Sequence, residues 1–465
     1  RASTVLSGTG LLVTASYGER PELIDQTLRE ATYHGPQRFA PRARTDGFPN
    51  SDLPAQATEP GQPAQPQGGK AVGGTATQYT GYGFDTCTAP SKSTMRAWLK
   101  SPYRVVGVYI GGVNRACADG NLNADWVRTV AEDGWRMLPI YVGRQAPCAR
   151  QKDLGRIRSK NVAGQGRAAA EDAVTRAKHF GMSPGSTLYN DIEGYDDTNA
   201  GCRKVVLTFL GAWTKRLHEL GYLSGVYSSA SSGIKHLSGA YAARSFVRPD
   251  AIWTARWDGK SSLKERNVDG SHWAIHQRAK QHRGPHTEKW GGRKIEIDSN
   301  VIDAPLASAR YRFQVDSKQP LRTRSGPSTS SPSMGTRPAG ATLDVICRAV
   351  GQRVGSTNVW SRLSDGSFVS EEYLGNPRKV SAPGCSHAFQ VDTQVLRVRE
   401  LPGLKAAIRS TIPLGGLAYI QCQGPGDPVE GNNIWDRLGR QLWVSDHYTA
   451  SPGRPTFTTV IPRCS

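Results

Sequence analysis

From Tyr82 onward the chain alternates short apolar runs with longer amphipathic ones. Strand-length runs fall at Tyr82–Asp85, Val105–Ile110, Arg136–Val142, Thr187–Glu193, Leu223–Tyr227, Ala251–Arg256, His272–Gln277 and Lys294–Asp298. Helix-length stretches such as Ala168–Phe180 and Cys202–Leu220 lie between them. Eight strands separated by helix-length segments predict an α/β fold, a (β/α)8 TIM-like barrel over residues 81–306. The last two crossovers are short or irregular, and a doubly wound sheet is the structural alternative.

Upstream, Pro21 to His34 has the pattern of one short helix stopped by Gly35. Asp46 to Gln78 is rich in Pro, Gln, Gly and Ala and reads as a linker, so residues 1–80 form a non-barrel lead segment. The chain starts at Arg1, and Val5 to Ser16 has the character of the tail of an export signal, with Thr14-Ala15-Ser16 near a cleavage site.

After Pro305 the grammar changes. The segment Leu321-Arg322-Thr323-Arg324 recurs at an offset of 75 residues as Leu396-Arg397-Val398-Arg399. Pro327 matches Pro402, Cys347 matches Cys422, and Trp360-Ser361-Arg362-Leu363 matches Trp435-Asp436-Arg437-Leu438. Phe368-Val369-Ser370 and Tyr373 match Trp443-Val444-Ser445 and Tyr448. The duplication predicts two small all-β units, 307–386 and 387–465. Each holds two cysteines, which makes Cys347–Cys385 and Cys422–Cys464 the natural bridges. A bridge compensates for the limited core of so small a unit.

Composition narrows the class. The net charge of +20 implies an anionic partner: nucleic acid, an anionic membrane, or an anionic polymer such as a bacterial wall. The chain has no zinc-ligand spacing and no recognised nucleic-acid motif, so no metal, cofactor or nucleic acid is expected. No run of about 18 apolar residues suggests a membrane span. The eight cysteines are even in number, widely spaced and without a C-x-x-C. Such usage points to disulfides and export.

The candidate chemistry centres on Asp191-Ile192-Glu193 at the end of the fourth strand candidate. Alternate residues of a strand share a face, so both carboxylates point the same way. An isolated D-x-E is more often a solvated edge strand or turn. A barrel, however, gathers the C-terminal ends of its strands at one mouth. The other strand candidates deliver Asp85, Tyr227, Trp253 with Trp257, Gln277 and Asp298 to that mouth. Acids supply proton transfer, and aromatic faces stack on sugar rings.

These segments resemble family 25 glycoside hydrolases, the N-acetylmuramidase lysozymes. The carriers are Gly83-Phe84-Asp85-Thr86, Asp191-Ile192-Glu193, Tyr227-Ser228, Trp253-Thr254-Ala255-Arg256-Trp257, Trp273-Ala274-Ile275-His276-Gln277 and Asp298-Ser299-Asn300, in order over residues 81–306. The cysteine-containing loops and Gly164–Ala177 are closer to a related actinobacterial glycoside-hydrolase-like family, domain-of-unknown-function family 1906. The resemblance implies Glu193 as general acid/base and Asp191 as the second carboxylate or the group that orients the substrate's acetamido group. It implies substrate contacts from Asp85, Asp298, Tyr227, Trp253, Trp257 and Gln277, and retention of configuration. Tyr109, Tyr141 and Tyr189 are expected to pack inward, and His276 to have a structural role. Adjacent loops suggest Cys87–Cys117 and Cys148–Cys202, although four cysteines allow three pairings. The C-terminal repeats resemble bacterial SH3 (SH3b) domains through L-R-x-R, the Pro-x-Gly turn and W-x-R-L. Together these features imply a secreted, monomeric, wall-associated hydrolase of the β-1,4 MurNAc–GlcNAc bond of peptidoglycan. The alternative is a non-catalytic glycan-binding or envelope-organising protein.

Overall fold

A computed structural model of the chain describes residues 77–464, apart from 152, 153, 244, 377, 378, 381, 452, 459 and 460. The export-signal remnant, the Pro21–His34 helix and almost all of the linker lie outside the described residues. Eight strands close into a barrel in chain order. They are β1 (Thr77–Asp85), β2 (Tyr103–Gly111), β3 (Arg136–Tyr141), β4 (Thr187–Asp191), β5 (Leu223–Ser229), β6 (Ala251–Ala255), β7 (Arg278–Trp290) and β8 (Arg293–Leu306).

Neighbours from β1–β2 through β6–β7 are parallel, whereas β8 runs antiparallel to both β7 and β1. The all-parallel expectation is therefore corrected at the eighth strand. The cause is Gly291-Gly292, which joins Trp290 to Arg293 with φ of 55° and 82°. A two-residue turn with left-handed geometry makes a hairpin, and a hairpin leaves no chain for a crossover helix.

The seventh strand is also corrected. His272–Gln277 is a series of turns, and β7 begins at Arg278. Trp273 and His276 have φ of 49° and 53°, which interrupts an extended run. Trp273 is buried against Tyr241, and Ile275 joins the core of the second C-terminal unit. Their apolar alternation thus reflects two different packing partners, not one strand face.

Among the described residues, five α-helices cover the barrel: α1 (Lys92–Ala97), α2 (Ala124–Glu132), α3 (Val162–His179), α4 (Ala200–Glu219) and α5 (Gly233–Gly239). Asn123, Asn161 and Asn199 each cap the helix that follows, accepting a backbone N–H from three residues on. On α4, Val206, Phe209, Leu210, Trp213 and Leu217 recur at helical spacing and are buried. Tyr141 faces these helices rather than the barrel interior: its ring packs on Trp213 and its hydroxyl donates to Asp172. The segment between β6 and β7 contains no helix. Its Asp258 and Glu265 instead reach the buried Lys280 ammonium at 2.9 and 3.0 Å.

Two glycines make room inside the barrel. A Cβ on Gly225 would sit 2.3 Å from the Tyr189 ring, and one on Gly107 would sit 2.5 Å from Asp85 Cβ. Close packing at these positions permits no side chain.

Beyond the barrel, strands from Tyr311–Val315 to Leu374–Gly375 form a seven-stranded sheet. Strands from His387–Gln390 to Leu442–Ser445 form a two-stranded and a five-stranded sheet. Both units dock on the barrel. Tyr311, Phe313 and Val315 share a core with Val130, Ala131 and Trp135, and Glu132 accepts the Arg312 N–H at 3.1 Å. The second unit packs Ala388, Leu417 and Tyr419 against Leu223, at the N-terminal end of β5. It therefore seats on the end of the barrel opposite the mouth. Disulfides join Cys87–Cys117, Cys148–Cys202, Cys347–Cys385 and Cys422–Cys464. Cys202 sits in the first turn of α4 rather than in a loop.

Candidate functional site

Strand alternation turns Asp85, Tyr109, Asp191, Tyr227, Gln281 and Asp298 inward at the C-terminal ends of the parallel strands. Because β8 is antiparallel, Asp298 reaches this level from within its strand, and the β1–β8 ladder pairs Asp85 directly with Asp298. Glu193 follows β4 by two residues and is half-buried, whereas Asp191 and Asp85 are 5% and 2% exposed. Asp85, Asp191, Glu193 and Asp298 all act electrostatically on Tyr109, so the four acids share one space.

Burial dominates the proton affinities of Asp85, Asp191 and Asp298. It pushes Asp298 up to about 9, and the neighbouring Asp85 charge adds to the effect. Burial also lifts Asp85, but hydrogen bonds from Asn300, Gln281 and Asp298 hold it to about 6. Asp191 lies well above the usual carboxylate range through burial and the charges of Glu193 and Asp85. Asp298 has the higher affinity of the two, which assigns it the proton between them at neutral pH and makes Asp85 the acceptor. A protonated acid thus stands beside an ionised one.

The ionised Asp85 is held by donors. Asn300 Nδ2 donates to Oδ1 at 2.6 Å, and Gln281 Nε2 donates to both oxygens at 3.2 Å. Gln281 is oriented in turn, because its Oε1 accepts from Tyr227 Oη and Trp257 Nε1, both at 2.9 Å. Trp253 Nε1 donates to Asn300 Oδ1 at 2.8 Å. The D-x-E backbone is clamped by the buried Gln145: its Nε2 donates to Asp191 O and its Oε1 accepts from Glu193 N, both at 2.8 Å. Among the described residues, Asp191 Oδ1 and Asp298 Oδ1 have no hydrogen-bond partner although both are buried. Unmet acceptors of this kind are costly in an interior.

Two expected site residues are corrected. Gln277 lies at the opposite end of the barrel, where it donates to Asp250 O at 2.7 Å. The misplaced seventh strand is the reason, and Gln281 occupies the corresponding place at the mouth. Trp253 does reach the mouth end of β6, but at 1% exposure its ring has no face open to a sugar. It packs edge-on to Tyr227 and Tyr189 beneath the acids. Trp257 remains partly exposed, resting against Gly284. Tyr189 points inward and donates to Pro305 O at 2.9 Å. His276 pairs with Asp303 at 2.6 Å, away from the acids, and that carboxylate raises its proton affinity against the opposing effect of burial.

Asn300, Gln281, Gln145 and Tyr109 were not assigned site roles from sequence. The Gly291-Gly292 pair was the available signal for Gln281, since a hairpin there fixes β7 and its inward positions. Gln145 lies in a loop after β3 and has no sequence signal. Among the described residues, no group of three or more His, Cys, Asp or Glu side chains has the arrangement of a metal site.

The barrel is similar to glycoside hydrolase-like domains. Residues 96–302 match the family described as Rv2525c-like, glycoside hydrolase-like domain. Among solved structures, a protein of B. stearothermophilus is 18% identical, covering 48% of this chain and 99% of its own, with a TM-score of 0.32. The Tat-secreted protein Rv2525c of Mycobacterium tuberculosis, in complex with L-tartrate, is 15% identical over 48% of this chain and 96% of its own, with a TM-score of 0.35. A family 25 glycosyl hydrolase from Bacillus anthracis is 15% identical over 48% and 89%, with a TM-score of 0.32. No curated protein matches this chain.

Proposed function

We propose that this chain is a secreted glycoside hydrolase that cleaves the β-1,4 bond between N-acetylmuramic acid and N-acetylglucosamine in peptidoglycan. The observation that supports the reading is the convergence of the half-buried Glu193 with the buried Asp85, Asp191 and Asp298 around Tyr109 at the mouth of the barrel. Glu193 gives its proton to the glycosidic oxygen as the C1–O bond breaks. The substrate's acetamido oxygen attacks C1, with Asp191 orienting that group. Water then opens the cyclic intermediate, losing a proton to Glu193, and the configuration at C1 is retained. The partly exposed Asp298 and Trp257 contact the sugar, the buried Asp85 and Tyr227 support them from beneath, and Gln281, Asn300 and Trp253 position Asp85.

Four disulfides fit an oxidising compartment outside the cytoplasm. The two C-terminal units act as SH3b-like wall-targeting modules, and the +20 charge holds the protein to anionic wall polymers in a salt-dependent way. The test compares the native chain with Glu193→Gln on purified peptidoglycan of several wall types. New reducing-end N-acetylmuramic acid from the native chain, and none from the variant, is the expected result. A native chain that binds sacculi yet releases no reducing ends is a glycan-binding protein and overturns the hydrolase reading.

A further inference from the structure

The two C-terminal units share one loop frame and differ in what it displays. In the first unit, Thr329 N donates to Gln352 Oε1 at 2.8 Å, Gln352 N to Pro327 O at 2.9 Å, and Arg324 Nη1 to Ser331 O at 2.9 Å. In the second, Leu404 N donates to Asp427 Oδ2 at 2.8 Å, Asp427 N to Pro402 O at 3.2 Å, and Arg399 Nη1 to Ala406 O at 2.8 Å. Each bond recurs at the repeat offset. The side chains do not. The first loop reads Gly326-Pro327-Ser328-Thr329-Ser330-Ser331-Pro332-Ser333, and the second reads Leu401-Pro402-Gly403-Leu404-Lys405-Ala406-Ala407-Ile408.

Leu401, Leu404 and Ile408 are 60%, 50% and 42% exposed. The first unit shows that the frame forms with Gly, Thr and Ser at these places, so the loop does not need the apolar side chains to fold. Several large apolar side chains held outward on one pinned turn mark a contact surface. Lys405 is exposed at the tip, and Arg397 and Arg409 are exposed on the flanking strands. Glu400 beside the loop pairs with Arg409 at 2.6 Å, Asp427 holds the turn from below, and Glu430 on the same hairpin pairs with His447 at 3.0 Å. The loop therefore presents apolar tips with an excess of positive charge around them.

We propose that this loop docks the protein on a bilayer surface rich in anionic phospholipid. Leu401, Leu404 and Ile408 enter the boundary between headgroups and acyl chains, and Lys405 and Arg397 sit against lipid phosphates. Projecting apolar side chains ringed by cations suit a deformable apolar medium with an anionic skin. The overall charge of +20 adds long-range attraction. Lipid docking by this loop does not depend on whether the barrel cuts a glycan.

The test is sedimentation of the full chain with phosphatidylglycerol-containing vesicles, and with phosphatidylcholine vesicles, at low and physiological salt. The decisive variant is Leu401→Gly/Leu404→Thr/Ile408→Ser, which places the first unit's residues on the second unit's frame. Native protein is expected to bind the anionic vesicles, more weakly as salt rises, and the triple variant to bind at least tenfold less. Lys405→Ser, which leaves the apolar residues in place, is expected to lose about fivefold. The proposal is overturned if the native chain does not bind anionic vesicles, or if the triple variant binds them as well as the native chain. It is also overturned if the triple variant keeps vesicle binding and loses only binding to wall sacculi, because the loop's partner is then wall peptide.

Discussion

Asp85 and Asp298 stand directly opposite each other in the β1–β8 ladder, and Asp298 donates the proton that joins them. Both acids have folded-state affinities above the unfolded value, about 6 and about 9. A raised acid contributes stability that is complete below its unfolded pKa and is lost as pH rises through the folded one. The barrel is therefore expected to lose stability between about pH 4 and pH 9. Asp298→Asn keeps the donor and cannot ionise. Its thermal midpoint should exceed that of the native protein at pH 8, by about 2–4 °C for each kcal/mol of stability that the native protein loses there, and converge with it near pH 4. Parallel melting curves at every pH would refute the shared proton.

Trp253→Phe removes the donor to Asn300 Oδ1 and leaves that buried oxygen unmet. The expected cost is about 1–3 kcal/mol in denaturant unfolding. Asn300 then holds Asp85 less firmly, so Asp85 should titrate above about 6. A carboxyl-carbon NMR titration reads that upward shift directly. An unchanged titration would show that Asn300 is positioned by something else.

Gln145→Ala cuts both hydrogen bonds that clamp the D-x-E backbone. The Glu193 amide should exchange with solvent much faster than in the native protein. On the proposed hydrolase reading, release of reducing ends from peptidoglycan should fall by about tenfold to a hundredfold, since small displacements of a proton donor carry such penalties. Retained amide protection would show that the Ile192–Tyr227 hydrogen bond alone fixes the loop.

The duplicated units predict different responses to pH. In the first, Arg348 pairs with Glu371, which also accepts from Ser361 at 2.7 Å. In the second, the equivalent places hold Gln423, Asp446 and Asp436. Gln423 Nε2 donates to both buried carboxyls at 2.9 Å, and Asn432 and Thr449 donate to them as well. Asp436 lies well above the usual carboxylate range through burial and the Asp446 charge. The second unit should therefore lose stability as pH rises above the carboxylate range. Gln423→Arg with Asp436→Ser places the first unit's Arg and Ser around Asp446 and should flatten that decline in unfolding measured from pH 5 to 9.

The sequence carried the eight-strand count, the duplication and the pair Asp191/Glu193, because each leaves a local or periodic mark. The apolar alternation of β1 to β6, the recurrence of Trp360 at Trp435, and the acid spacing are all visible within a few residues. The seventh strand escaped because Trp273 and Ile275 mimic strand alternation while packing against different partners. That error moved the predicted glutamine from Gln281 to Gln277.

By itself the sequence determined the positions of β1 to β6 and the duplication of the C-terminal units, since periodicity and repetition are written along the chain. Tertiary structure alone decided that β8 returns antiparallel, so that Asp298 meets Asp85 across the ladder. It also decided that Asn300, Gln281 and Gln145 converge on the acids, and that burial raises the proton affinities of Asp85, Asp191 and Asp298. Desolvation and hydrogen bonding depend on which distant segments close over a carboxyl, and that is a property of the closed barrel rather than of any stretch of the chain.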